Sequence, residues 1–204
     1  MATNRIAAQN GVFDEIVDRV RQCAQQLRTG APSAADTQIG PNINDKQLEG
    51  LRDKITRSVT DRAELLVSRE PAGPAGRVLP PHVPVGDNHV ASADEEAFGP
   101  VATVIRAEDE EDAPRIANST DYDLSSAVFT GDLERGVRFA RRVHAGMTHV
   151  DDITVNDEPN TAFGGEKDSG LDRFGGQWAI DAFTTDHWVS VQHTRRDLPF
   201  GSGT

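Results

Sequence analysis

The chain has 204 residues, enough for one domain with a sizeable core. It lacks a run of about 18 apolar residues, so no membrane-spanning helix is expected. Its formal charge of −12, with 33 acidic against 21 basic residues, argues against nucleic acid as a main partner, because phosphate binding needs clustered Lys and Arg.

In chain order, residues 3–8 read as a short strand. Val12, Phe13, Ile16, Val17, Val20, Cys23, Ala24 and Leu27 recur at helical spacing. They predict an amphipathic helix over 12–27, with Asn10 as N-cap and Gly30 as stop. A loop over 31–41 leads to a second helix over 44–60, with Leu48, Leu51, Ile55 and Val59 inward. Residues 64–68 read as a strand. The Pro- and Gly-rich stretch 70–84 reads as a surface excursion with short extended pieces. A strand over 101–106 precedes a helix over 109–118, where Pro114 is tolerated only in the first turn. Strand 126–130, helix 133–143 and strand 147–150 follow. This alternation predicts an α/β fold with a twisted, mostly parallel sheet flanked by helices. Residues 153–176 form a long Gly-rich loop of the kind that usually serves function. A short helix over 178–183, a last strand over 187–193 and a disordered tail from 197 complete the chain.

Two segments could carry chemistry. In Glu96-Ala97-Phe98-Gly99-Pro100 a carboxylate suited to accept hydrogen bonds from two ribose hydroxyls lies next to an apolar ring. The bland alternative is a solvated Glu and a core Phe. In Phe163-Gly164-Gly165-Glu166-Lys167-Asp168-Ser169-Gly170-Leu171-Asp172-Arg173, three glycines allow close backbone approach. The strand-to-helix context of a phosphate-binding loop is missing there. Cys23, the only thiol, reads as a small core hydrophobe on the first helix. The six scattered histidines show no metal-ligand spacing, so no metal is expected. The run Glu108 to Asp112 reads as a solvated helix start. One cysteine allows no internal disulfide, and no leader-like N-terminus is visible, so a cytoplasmic location is expected.

These two segments, together with Met1-Ala2-Thr3-Asn4-Arg5, resemble signatures of the aldehyde dehydrogenase superfamily. The first residues resemble a G-Q-x-C-M-x-T-N-R pattern, and the Gly-rich stretch resembles F-G-G-x-K-x-S-G-x-G-R. Ile39-Gly40-Pro41-Asn42-Ile43 and the segment 146–159 match collinearly, the latter in the wording of an aromatic- or short-aldehyde branch. The resemblance implies that Glu96 binds the nicotinamide-side ribose of NAD or NADP, with Phe98 beside it and Gln47 as a further cofactor contact. It places Phe163 near substrate and Asp151 at the mouth of the aldehyde channel. It also implies a partial catalytic domain over 1–183, an oligomerisation strand forming a β arm over 184–197 and a tail over 198–204. The nucleophilic Cys, the general base and the dinucleotide-binding domain would lie upstream. The chain alone is therefore expected to be inactive, with a small aldehyde and a homo-oligomer as partners of the complete enzyme. A separately encoded N-terminal half, a truncated reading of a longer gene and a non-catalytic remnant or interaction module all stay open. Asp123, Asp151 and Asp172 depart from the family pattern, which more often has Gly, Asn and Gly there.

Only three lysines occur, and Asp outnumbers Glu. Such a surface resembles proteins of high-salt cytoplasm, whose self-repulsion is screened. The expected outcome is a higher melting midpoint in molar KCl than in dilute buffer, followed by circular dichroism. Equal midpoints would remove the high-salt reading.

Overall fold

A computed structural model describes residues 1–69 and 76–194. The centre of the fold is a four-stranded sheet in the order β1-β4-β3-β2, built from β1 (Arg5–Gln9), β2 (Glu64–Val67), β3 (Val83–Gly86) and β4 (Thr103–Ala107). β1 and β3 run parallel to β4, and β2 is antiparallel to β3. The register pairs Ile6 with Val104 and Val85 with the same Val104. β4 is thus central, and Thr103, Val104, Ile105 and Ala107 are all buried.

Helices α1 (Phe13–Gln26) and α2 (Asp45–Thr60) cover this sheet. Phe13, Val17 and Ala24 of α1 pack on Ala8, Val67, Val83 and Val104. The helix begins one residue later than its periodicity suggests, and Asn10 does not cap it. Its side chain instead accepts from Arg106 Nη1 at 2.6 Å, and the Arg106 guanidinium lies 3.7 Å over the Phe13 ring. Cys23 corrects the sequence reading, for it is exposed. At 100° per residue it stands about 80° around the helix from Phe13, at the margin of the apolar stripe.

In α2, Asn44 is the N-cap, its side chain accepting from the Gln47 amide at 2.8 Å. Leu48, Leu51 and Ile55 are buried with Leu79, Ala97 and Val101. Val59 is 47 % exposed, contrary to its predicted inward place. Ser58 takes that inward position instead: it is fully buried, and its hydroxyl bonds the Lys54 carbonyl and the Ser92 amide.

The largest correction concerns the stretch expected to be a surface excursion, of which 70–75 lie outside the described residues. Residues 78–84 are buried, and β3 runs from its end through the middle of the sheet. A strand covered on both faces reads as a continuous apolar run rather than an alternation. Pro80, Pro81 and Pro84 disguised it further. Pro84 has no amide to give β2, and the β2–β3 register is irregular beside it, between Leu65 and Val67.

A short helix α3 (Ala91–Asp94), not foreseen, precedes β4, and α4 (Asp112–Asn118) follows it with Pro114 in its first turn as required. The remaining elements are β5 (Tyr122–Asp123), β6 (Ser125–Val128), α5 (Leu133–Ala140), β7 (Met147–Val150), β8 (Glu166–Lys167) and α6 (Gly176–Phe183). β6 and β7 pair in parallel and β5 and β8 antiparallel, each as a separate two-stranded unit rather than as extensions of one sheet. Gly136 lets α5 lie close on Val150 of β7, where a Cβ would overlap the valine. The three buried apolar clusters draw only on residues up to Ile116. Beyond that point every β6 and β7 residue is half-buried, and Leu171, Phe183, Trp188, Val189 and Val191 are strongly exposed.

The acidic run is no simple solvated helix start. Glu110 pairs with Arg135 at 2.9 Å and Glu111 with Arg142 at 2.5 Å, which ties the α5 region to the entry of α4. The predicted strand over 187–193 is irregular here, because a strand exists only beside a hydrogen-bonded neighbour and this chain offers it none among the described residues. The tail over 198–204 lies outside the described residues.

Leu51→Ala is expected to cost about 2–5 kcal/mol in urea unfolding, whereas Val59→Ala stays within about 0.5 kcal/mol. Comparable losses at the two positions would contradict the packing of α2.

Candidate functional site

The N-terminal end of β1 collects the site. Four of the first five residues of the chain, Met1, Thr3, Asn4 and Arg5, reach three different segments, each through its own hydrogen bonds.

Asn4 serves the loop between α3 and β4. Its Nδ2 lies 3.3, 3.5 and 3.3 Å from the carbonyls of Ser92, Ala93 and Glu95, while its Oδ1 accepts from the Ala97 amide at 3.3 Å. The backbone of Glu96 is therefore held on both sides. Glu95 and Glu96 then differ sharply. Lys54 Nζ lies 2.5 Å and Arg57 Nη1 2.6 Å from the Glu95 carboxylate. These hydrogen bonds, Arg57 first and Lys54 second, pull the Glu95 carboxyl down to about 2 and raise Arg57. Glu96 is exposed, and no hydrogen bond or ion pair engages its carboxylate among the described residues. Phe98, 66 % exposed, stands beside it. Gln47 supports this loop from α2: Nε2 donates to the Phe98 carbonyl at 2.6 Å, and Oε1 accepts from the Ile43 amide at 3.1 Å. A Cβ at Gly99 would overlap Leu51 Cδ1, so the loop rests directly on the α2 core.

Arg5 serves the end of α4. Its guanidinium donates to the carbonyls of Ile116, Ser119 and Ala117 at 3.0–3.1 Å. Lys167, from the Gly-rich turn, donates to the carbonyls of Asn118 and Thr120 at 2.8 and 2.5 Å. Two cations thus satisfy the carbonyls that a helix C-terminus leaves open, where its dipole favours positive charge. Asp123, 6 % exposed, balances them with an ion pair to Lys167 at 2.7 Å. Burial pushes the Asp123 carboxyl up, while Lys167 and Arg5 work against that; burial also lowers Arg5, against the pull of Asp123 and Asp94. The departure from Gly at 123 is therefore a partnered buried charge.

Thr3 and the Met1 carbonyl serve the loop after β7. Thr154 Oγ1 donates to the Met1 carbonyl at 3.0 Å and lies 3.3 Å from Thr3 Oγ1. Asp151, exposed at the start of this loop, has φ 56° and accepts from the Thr130 amide at 2.8 Å. An acceptor-only side chain suffices there, and Asp tolerates the left-handed backbone. Asp172, where such strain could have been expected, does not have positive φ.

The Gly-rich stretch is a folded turn. Phe163 and Phe174 exchange backbone hydrogen bonds at its base, at 2.9 and 2.6 Å. A Cβ on Gly164 would overlap the Asp172 carbonyl, and one on Gly146 would overlap the Gly164 carbonyl. Phe163 is half-buried at the neck of this turn. Sequence reasoning picked Glu96, Phe98, Gln47, Phe163 and Asp151 and missed Asn4, Arg5, Thr154 and Lys167 as organisers. All four sit inside or beside the quoted segments, and their polar side chains next to apolar strand positions were the available signal.

The chain belongs to the aldehyde dehydrogenase family, which it matches over residues 1–189. It is 42 % identical over 198 residues to a vanillin dehydrogenase of Corynebacterium glutamicum, covering 95 % of this chain and 40 % of that protein. A salicylaldehyde dehydrogenase of Pseudomonas putida G7, solved with salicylaldehyde, superposes with a TM-score of 0.89 at 30 % identity over 96 % of this chain and 40 % of that one. An NAD-dependent aldehyde dehydrogenase of Sinorhizobium meliloti gives 0.91 at 30 % identity, over 97 % and 40 %. The chain thus spans about 40 % of the length of these relatives.

Glu95 is charged in the folded protein down to about pH 2, while its ordinary value is 4.5. Its stabilisation is complete above 4.5 and is lost as the pH falls toward 2. The expected outcome is that Glu95→Gln lowers the thermal midpoint near neutrality and that the gap to the parent narrows below pH 4.5 and closes only near pH 2. A gap independent of pH would show that the Lys54–Arg57 clamp does not act on the charge.

Proposed function

We propose that this chain forms the C-terminal part of the catalytic domain of an NAD(P)-dependent aldehyde dehydrogenase that oxidises a small aldehyde to its carboxylic acid. The names of the vanillin and salicylaldehyde relatives favour an aromatic aldehyde. The observation that carries the reading is the contrast within one loop. Glu95 is immobilised by two cations, and its neighbour Glu96 presents a carboxylate with no protein partner next to the exposed Phe98 ring.

That pair fits the ribose of a nicotinamide cofactor. A carboxylate can accept from both ribose hydroxyls, and an aromatic wall excludes water from one side. The cofactor supplies the hydride acceptor for the oxidation. Gln47 acts here through the Phe98 carbonyl, keeping the ring's backbone in place. Asp151 and Thr154 shape the mouth of the aldehyde channel, with Phe163 on its inner side. No nucleophile or base is assigned within these residues, since the sole thiol, Cys23, is exposed on α1, away from these loops in the sheet's covering layer. The exposed apolar residues from Leu171 to Val191 support a role for residues 184–197 as a β arm that pairs with further protein, either the rest of the enzyme or another copy. A separately supplied N-terminal half is the alternative form of the same reading.

In the chain completed by an upstream half that carries the nucleophile and the cofactor domain, Glu96→Gln is expected to raise the KM for NAD roughly tenfold or more. Hydrogen bonds to a charged group are worth about 1.5–3 kcal/mol. Kinetics unchanged within about twofold would overturn the role of Glu96. The 204-residue polypeptide by itself is expected to reduce no NAD with benzaldehyde-type substrates.

A further inference from the structure

We infer that Asn4 is a positioning residue for the cofactor's ribose, setting the place of Glu96 by bracketing its backbone. The inference rests on the proposed role of Glu96 and adds a residue to it.

The geometry is particular. The Asn4 amide group turns its Nδ2 to the carbonyls of Ser92, Ala93 and Glu95, and its Oδ1 to the Ala97 amide. Glu95 and Ala97 are the two peptide neighbours of Glu96. No hydrogen bond of its own side chain locates Glu96 among the described residues, so the point from which its side chain starts is set by the backbone. Two further anchors hold the flanks: the Glu95 side chain through Lys54 and Arg57, and the Phe98 carbonyl through Gln47. The peptides on either side of Glu96 itself depend on Asn4. Asn4 is in turn fixed by the strand that it opens, because its carbonyl accepts from the Thr103 amide at 2.9 Å. The same end of β1 bonds the loop after β7 through Thr3 and the Met1 carbonyl. Ribose loop and aldehyde-mouth loop therefore take their positions from one short length of backbone.

Asparagine is the residue this bracket requires. It offers two N–H donors and an acceptor in one rigid plane. Asp keeps the acceptor for Ala97 but turns an oxygen toward three carbonyl oxygens, so it should fail as fully as Ala despite its equal size.

The test has two readouts. In the 204-residue chain, amide hydrogen exchange is measured residue by residue for the parent, Asn4→Ala and Asn4→Asp. Faster exchange confined to residues 93–98, by roughly tenfold or more, with β1 and β4 unchanged, is the expected result. Exchange that rises over the whole sheet, a segment 93–98 that is unprotected already in the parent, or no change at all would each overturn the inference. In the completed enzyme, both variants raise the KM for NAD and leave that for the aldehyde within about twofold, and Asn4→Ala adds little once Glu96→Gln is present. An NAD effect of Glu96→Gln without one for Asn4→Ala overturns the positioning role alone, whereas no effect of Glu96→Gln overturns the reading of the site on which it rests.

Discussion

Everything near the site depends on how polar side chains at the edge of the central sheet satisfy backbone groups that no regular element reaches. Asn4 and Arg5 do this for two loops at once. Between them they meet six carbonyls and one amide. The Ile116 carbonyl keeps a second donor in Asn88, but a part-buried group left unpaired by their loss would cost about 1–3 kcal/mol. A loop held in this way is fixed by geometry rather than by apolar packing, so it can remain open to solvent and still keep one conformation. That is the combination a cofactor-facing loop needs.

The charges follow the same logic. Arg5 and Lys167, far apart in sequence, meet at the C-terminus of α4, where Asp123 pairs with Lys167 and lies within the field of Arg5. Removing Lys167 would leave the buried Asp123 without its ion pair, and breaking a buried pair costs far more than the pair itself contributes. The arrangement explains why the Gly-rich turn folds tightly, with Lys167 at φ 50° to reach its carbonyls. Its glycines are needed for backbone contact, at Gly164 against Asp172 above all.

How far the sequence could be read depended on whether a residue's surroundings were local. Helical periodicity located α1 and α2 well, since Leu48, Leu51 and Ile55 must face one way, and the Asn44 cap is a local device. The same reasoning failed for Cys23 and Val59, which lie at the edges of their stripes, where a few tens of degrees decide burial. It failed for β3 because a strand inside a sheet has no alternation to show, and its prolines mimic a loop. At the site, the collinear segments singled out Glu96 and Phe98 as candidates. That Glu95 is the clamped carboxylate and Glu96 the free one was not legible, because Lys54 and Arg57 are about 40 residues away in sequence. The C-terminal stretch looked like a strand by composition, but its pairing depends on an edge that these residues do not contain.

The contact between Gly99 and Leu51 has an evolutionary side. Any side chain at 99 would have to displace the leucine that anchors the α2 core, so the two positions are not free to vary separately. Across a lineage, enlargement at 99 should occur only alongside a smaller residue at 51. The loop that carries Glu96 is thus tied in its variation to the hydrophobic core beneath it.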